Sequence, residues 1–68
     1  MENLARDLGR RIRQARKAAG FSQDAFALAC KVDRSYMGRI ERGEVNITVE
    51  KLYQIAQCLG YHPTHLLP

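Results

Sequence analysis

The sequence predicts an all-α fold, a compact bundle of helices, on three observations. Three times a residue that caps helices stands between two apolar ones, the second placed four positions after the cap: Ser22 with Phe21 and Phe26, Asp33 with Val32 and Met37, Thr48 with Ile47 and Leu52. A cap joined to such a hydrophobic staple marks a helix start, because it satisfies an orphan backbone N–H and fixes the angle at which the chain enters. Leu4, Leu8, Ile12, Ala15 and Ala19 recur at helical spacing and form one apolar stripe. No stretch of four or more residues alternates apolar and polar with β-branched enrichment, so no strand is expected.

The elements follow in order. The stripe places a first helix over residues 3–19, with Gly20 as the residue that turns left-handed after it. The three caps open helices at 23–30, 34–42 and 49–59, and Gly43 and Gly60 stop the last two. Pro63 suits the first helical position of a last short turn that ends with Leu66 and Leu67. Only Lys31 and Val32 separate the second helix from the Asp33 cap, which forces a tight corner.

A chain of 68 residues builds one small core, so residues 1–68 are expected to form a single domain. The composition, 46% apolar and 26% charged, is that of a globular chain and excludes a disordered one. The longest apolar run, Ala25 to Cys30, is six residues and far too short to span a bilayer. No basic segment followed by an apolar one opens the sequence, and the expected location is the cytoplasm. Cys30 and Cys58 form no CxxC pair and have no histidines at ligand spacing; they are expected as buried, reduced thiols with no metal and no cofactor. The acidic, His, Ser and Cys residues make no recognisable catalytic arrangement, so no enzyme is expected. Docking of the first helix on a membrane is disfavoured because its apolar stripe has no aromatic anchor.

The net charge of +4 is concentrated early. Residues 1–20 carry Arg6, Arg10, Arg11, Arg13, Arg16 and Lys17 against Glu2 and Asp7, whereas from residue 44 onward only Lys51 opposes Glu44 and Glu50. An anionic partner would therefore dock on the first two thirds of the chain. On the third helix Met37 and Ile40 point to the core, which leaves Arg34, Ser35, Gly38, Arg39 and Arg42 on one outward face. Gly38 would let the helix axis approach a partner closely, at a cost of up to about 1 kcal/mol in helix propensity.

Duplex DNA matches such a face. Its major groove admits one helix, and the guanine edge accepts two parallel hydrogen bonds from an arginine. Arg34 and Arg39, with Ser35 between them, are the expected base-reading residues. The start of the helix at Gln23, with its free N–H groups and the Gln23 amide, suits a phosphate, and Arg42 suits a second. Arg13 and Lys17 are either further phosphate contacts or ordinary solvating charges.

The segment GFSQDAFALACKVDRSYMGRIERG, followed by TVEKLYQIAQCLG, resembles the five-helix, lambda-repressor-like DNA-binding domain of the Xre or Cro/phage-repressor family, from about Leu8 to Leu67. The resemblance implies a helix-turn-helix over about residues 23–42, a phosphate or base contact at Gln23, and base reading by Arg34, Ser35 and Arg39. It also implies an ion pair between Glu41 and a basic residue of the first helix, by position Arg16. The sequence departs from the family at Lys31, where glycine is usual, so the corner either holds a left-handed lysine or changes its geometry. Ala25 replaces the usual acidic residue, which leaves Ser22 to cap alone, and Asp33 stands where a neutral hydroxyl is common.

The expected function is therefore a sequence-specific double-stranded DNA-binding transcriptional regulator, a repressor or activator with no sensor domain attached. It is expected to act as a homodimer on a pseudo-palindromic operator. Tyr61, Leu66 and Leu67 are the candidate dimer surface, with Leu66 equally suited to closing the core. The alternative is a protein-docking or antitoxin-type module of the same fold with a partner protein and little operator specificity.

Overall fold

The computed structural model describes residues 3–68, so Met1 and Glu2, the latter counted in the charge above, lie outside the described residues. Its elements are α1 (Leu4–Ala18), α2 (Gln23–Cys30), α3 (Arg34–Glu41), α4 (Val49–Leu59) and a terminal 3-10 turn (Pro63–Leu66). All regular structure among the described residues is helical, but the bundle has four α-helices rather than five. The expected fifth helix is a single turn of four residues, too short to propagate α-helical hydrogen bonding. Pro63 opens it without an N–H of its own, while the His62 ring accepts from the Thr64 N–H at 3.3 Å.

Each expected cap forms. Ser22 Oγ accepts from the Ala25 N–H at 3.1 Å, Asp33 Oδ2 from the Tyr36 N–H at 3.1 Å and Thr48 Oγ1 from the Lys51 N–H at 3.0 Å. Each bond contributes ~1 kcal/mol to its helix. The Phe21 and Phe26 rings of the first staple lie 5.4 Å apart. The α2–α3 corner closes through Lys31, which adopts the left-handed conformation at φ 60° and ψ 41°, so the geometry is kept and the lysine carries the strain. Its N–H bonds to the Leu28 carbonyl at 3.1 Å, and the Val32 N–H bonds to that of Ala27 at 2.9 Å.

Ile12, Phe26, Met37, Ile40, Ile55 and Leu66 are fully buried and draw all five elements into one core. Leu66 therefore closes the core and does not belong to the candidate dimer surface; the 3-10 turn aims it inward at 1% exposure. The apolar stripe of α1 is buried in its middle, whereas Leu4 and Ala19 at its ends are exposed. Cys30 is buried as expected, but Cys58 is only half-buried, and both are free thiols. Burial, followed by the neighbouring Cys58 thiol, pushes the Cys30 thiol up to about 12.

Two glycines allow α1 and α3 to lie close together. A Cβ on Gly9 would overlap the carbonyl oxygen of Ile40 and stand 2.8 Å from that of Glu41. Gly43, left-handed at φ 74°, seats the turn after α3 against the backbone of Arg6, where a Cβ would lie 2.5 Å from the Arg6 Cα. These contacts fix the direction in which α3 leaves the bundle.

Candidate nucleic-acid interface

The outer face of α3 carries Arg34, Ser35 and Arg39, all exposed. Asp33 starts the helix with its carboxylate turned back onto the Tyr36 N–H, so that carboxylate is engaged at the cap. Met37 and Ile40 hold the opposite face in the core. The three outward side chains thus stand on a helix anchored from beneath, the arrangement that a rigid reading surface needs.

Gly38 is placed differently from its sequence-based expectation. It is buried, and a Cβ there would lie 3.1 Å from Arg42 Nη1 and 3.4 Å from Gln23 Oε1. Its missing side chain makes room for two neighbouring polar side chains, which cover the helix at that point.

Gln23, the first residue of α2, donates from Nε2 to Glu41 Oε1 at 3.2 Å. One of its two amide N–H groups is thereby spent on α3. Glu41 also receives Arg16: Nε donates to Oε2 at 2.7 Å and Nη2 to Oε1 at 3.1 Å, while Arg16 Nη1 reaches the Phe21 carbonyl at 3.0 Å. The Arg16 and Glu41 side chains are 9% and 3% exposed. One carboxylate thus ties α1, α2 and α3 together, which holds the start of α2 and the end of α3 at a set separation.

Two of the candidate arginines have acidic partners that sequence reasoning missed. Arg34 Nη1 lies 3.2 Å from Asp24 Oδ2, across the corner from α3 to α2. Arg42, immediately after α3, grips Glu44 with Nε at 2.6 Å from Oε2 and Nη2 at 3.4 Å from Oε1. That hydrogen bonding, with the attraction of the charges, raises the Arg42 guanidinium above its ordinary value and holds the Glu44 carboxyl below its own. The second pair had a local signal, opposite charges two residues apart; the first had none, being ten residues apart in sequence. Arg13 and Lys17 are exposed on α1, four residues apart on one face. Among the described residues no group of three or more His, Cys, Asp or Glu is placed to hold a metal ion, and no helix is long and apolar enough to cross a membrane.

A short helix with its cations outward, set by a tight corner behind a capped helix whose amide end lies beside it, defines the class of helix-turn-helix DNA-binding proteins. The chain belongs to the Helix-turn-helix family HTH_3, whose model matches residues 12–66. Over 66 residues it is 33% identical to the control protein C.BamHI of Bacillus amyloliquefaciens, covering 96% of this chain and 82% of that protein. It is 43% identical over 60 residues to the HTH-type transcriptional regulator SutR of Escherichia coli, covering 88% of this chain but only 34% of SutR. Among solved structures, the restriction-modification controller protein C.AhdI of Aeromonas hydrophila superposes with a TM-score of 0.89 at 35% identity, over 93% of this chain and 96% of that one. The hypothetical transcription factor NHTF from Neisseria superposes with a TM-score of 0.91 at 32% identity, over all of this chain and 79% of that one. The protein is a DNA-binding transcriptional regulator and not an enzyme.

Proposed function

We propose that the protein acts as a homodimer on a pseudo-palindromic operator, each protomer laying α3 in the major groove. The observation that carries this reading is the joint exposure of Arg34, Ser35 and Arg39 on one face of a helix whose other face is locked in the core. Arg34 and Arg39 read guanine edges, and Ser35 adds a less selective contact. Gln23, with the free N–H groups at the start of α2, and Arg42 seat the flanking phosphates, and Arg13 and Lys17 of α1 add to the phosphate contacts.

The dimer reading is supported by Tyr61 and Leu67, which are 40% and 42% exposed, and by Tyr53, which shares a shallow cleft with Tyr61 and Pro63. Burying these side chains between two copies would set the half-sites about one helical turn, ~34 Å, or a multiple of it apart. The likeness to the control protein and to the restriction-modification controller, which extends over most of both chains in each case, supports a compact operator-binding controller.

The experiment is selection of bound duplexes from a random 30 bp pool at roughly physiological salt, where non-specific phosphate binding is weakened. The expected result is an inverted repeat with guanines at matched positions of the two halves. A pool that stays random around folded protein would favour a protein-docking module of the same fold instead.

A further inference from the structure

We infer that Asp24 is a positioning residue for DNA readout: it holds the Arg34 guanidinium in the orientation that reads a guanine, and so sets specificity at that base pair without contacting it. The inference rests on the proposed base-reading role of Arg34 and adds to it the residue that makes the role selective.

The argument starts from which donors are used. Asp24 Oδ2 takes a hydrogen bond from Arg34 Nη1 at 3.2 Å. Nε and Nη2 are left unused by that contact, and they are two adjacent donors of the planar fork, a pair able to meet a guanine N7 and O6 together. An arginine held at one corner still presents a complete bidentate edge. Arg34 and Asp24 side chains are 69% and 67% exposed, so the pair stands clear of the core and a base can reach it without rearrangement of the helices.

The carboxylate is itself well placed. Asp24 is the second residue of α2, two positions after Ser22, whose hydroxyl locks that turn through the Ala25 N–H. The adjacent Gln23 is tied to Glu41 at the far end of α3. Asp24 and Arg34 thus project from two helices whose relative position is held at both ends, by the Lys31 corner and by the Gln23–Glu41 bond. A flexible arginine pays rotamer entropy when a base captures it, and one already steered by a fixed carboxylate pays less. The pairing also offsets a cost that an isolated Asp24 would bring, since a lone carboxylate beside the α2 phosphate seat would repel the DNA backbone.

The test uses the operator selected from the random pool and a set of duplexes each altered at one base pair, with binding read by fluorescence anisotropy. Arg34→Ala is expected to abolish the preference at one base pair per half-site, which locates the base that Arg34 reads. Asp24→Asn is expected to weaken the preference at that same base pair about threefold or more while affinity for random duplex stays level or rises, because a negative charge has left the interface. In the Arg34→Ala background Asp24→Asn is expected to change no base preference. Circular dichroism checks the fold, and Asp24→Ser provides a second variant that keeps a small polar side chain in the first turn of α2.

Undiminished preference at the Arg34 base pair in both Asp24 variants would overturn the positioning role while leaving Arg34 as the reader. Sharper preference in those variants would overturn it as well, since Asp24 would then be sequestering Arg34. An Arg34→Ala protein that keeps every preference would remove the base-reading role and with it the inference.

Discussion

Arg16 of α1 and Glu41 at the last turn of α3 form a two-pronged, buried ion pair, 2.7 Å between Nε and Oε2 and 3.1 Å between Nη2 and Oε1. The two residues are 25 apart in sequence, and their contact fixes how α3 leaves the bundle. Removing one partner strands the other charge away from water. Arg16→Met alone should therefore lower unfolding free energy by ~3 kcal/mol or more, a large share of the stability of so small a domain. Arg16→Met combined with Glu41→Leu should recover most of that loss, because no charge is then left buried. Urea melts of the three proteins measure it; equal stability of the single and double variants would show that the fork contributes through its hydrogen bonds and not through charge.

Lys31 supplies a prediction of opposite sign. It is a left-handed non-glycine residue at the corner of the helix-turn-helix, with φ 60°. The strain of that conformation is roughly 1–2 kcal/mol, and glycine would relieve it while losing up to about 1 kcal/mol in unfolded-state entropy. Lys31→Gly should raise stability by about 0.5 kcal/mol, a shift of a few degrees in Tm. A lower Tm would mean that the lysine makes a favourable contact outweighing its backbone cost.

Gly9 sets the distance between α1 and α3. An added Cβ meets the backbone carbonyls of Ile40 and Glu41, which have no rotamer through which to yield. Gly9→Ala gains helix propensity but forces the two helices apart, and overpacking of this kind costs ~1–3 kcal/mol. A thermal melt should show a net loss, and a gain would indicate that the helices separate easily.

Which of these features were legible in sequence depends on how local their causes are. The starts of α2, α3 and α4 were, because a cap and its staple lie within six residues of one another and carry their own physics. The final turn is legible as a short turn from Pro63, but the fifth helix that the resemblance implies is not formed, because nothing in four residues says whether such a turn will be α or 3-10. The joint burial of Arg16 and Glu41 came within reach only through family resemblance, as a charge pair 25 residues apart has no periodic signature. Gly38 was assigned to the right face for a reason the structure does not support: its place beneath Arg42 and Gln23 depends on side chains from the end of α3 and from another helix. The exposed arginines were found, but the carboxylates beside Arg34 and Arg42 were not, because rotamer choice across a corner or after a helix end leaves no trace in spacing.

Glu44 tests how firmly Arg42 is held away from a phosphate. The hydrogen bond to Arg42 holds the Glu44 carboxyl below its ordinary value, so the pair is present above the usual carboxylate range and is lost as pH falls through that lowered value. Glu44→Gln frees the guanidinium at neutral pH and removes one negative charge from the interface. Non-specific duplex affinity at low salt should rise several-fold, with a steeper dependence on salt concentration because one more cation meets the backbone. Unchanged affinity and slope would place Arg42 outside the DNA contact.

The two thiols differ in environment and should differ in chemistry. Cys30 is buried at the end of α2, its thiol pushed up to about 12 by burial and then by the neighbouring Cys58 thiol, whereas Cys58 is half-buried on α4. At pH 8 a thiol of that kind is almost wholly protonated, and the thiolate is the reactive form. An aromatic disulfide reagent should therefore label Cys58 first and reach Cys30 only at the rate of unfolding or local opening. The sign for stability follows from linkage: the unfolded chain releases the Cys30 proton near its ordinary value and the folded chain holds it, so stability falls as pH rises above about 9 toward 12. Cys30→Ala should flatten that alkaline decline, and rapid labelling of both thiols in folded protein would show that the end of α2 opens far more readily than its packing implies.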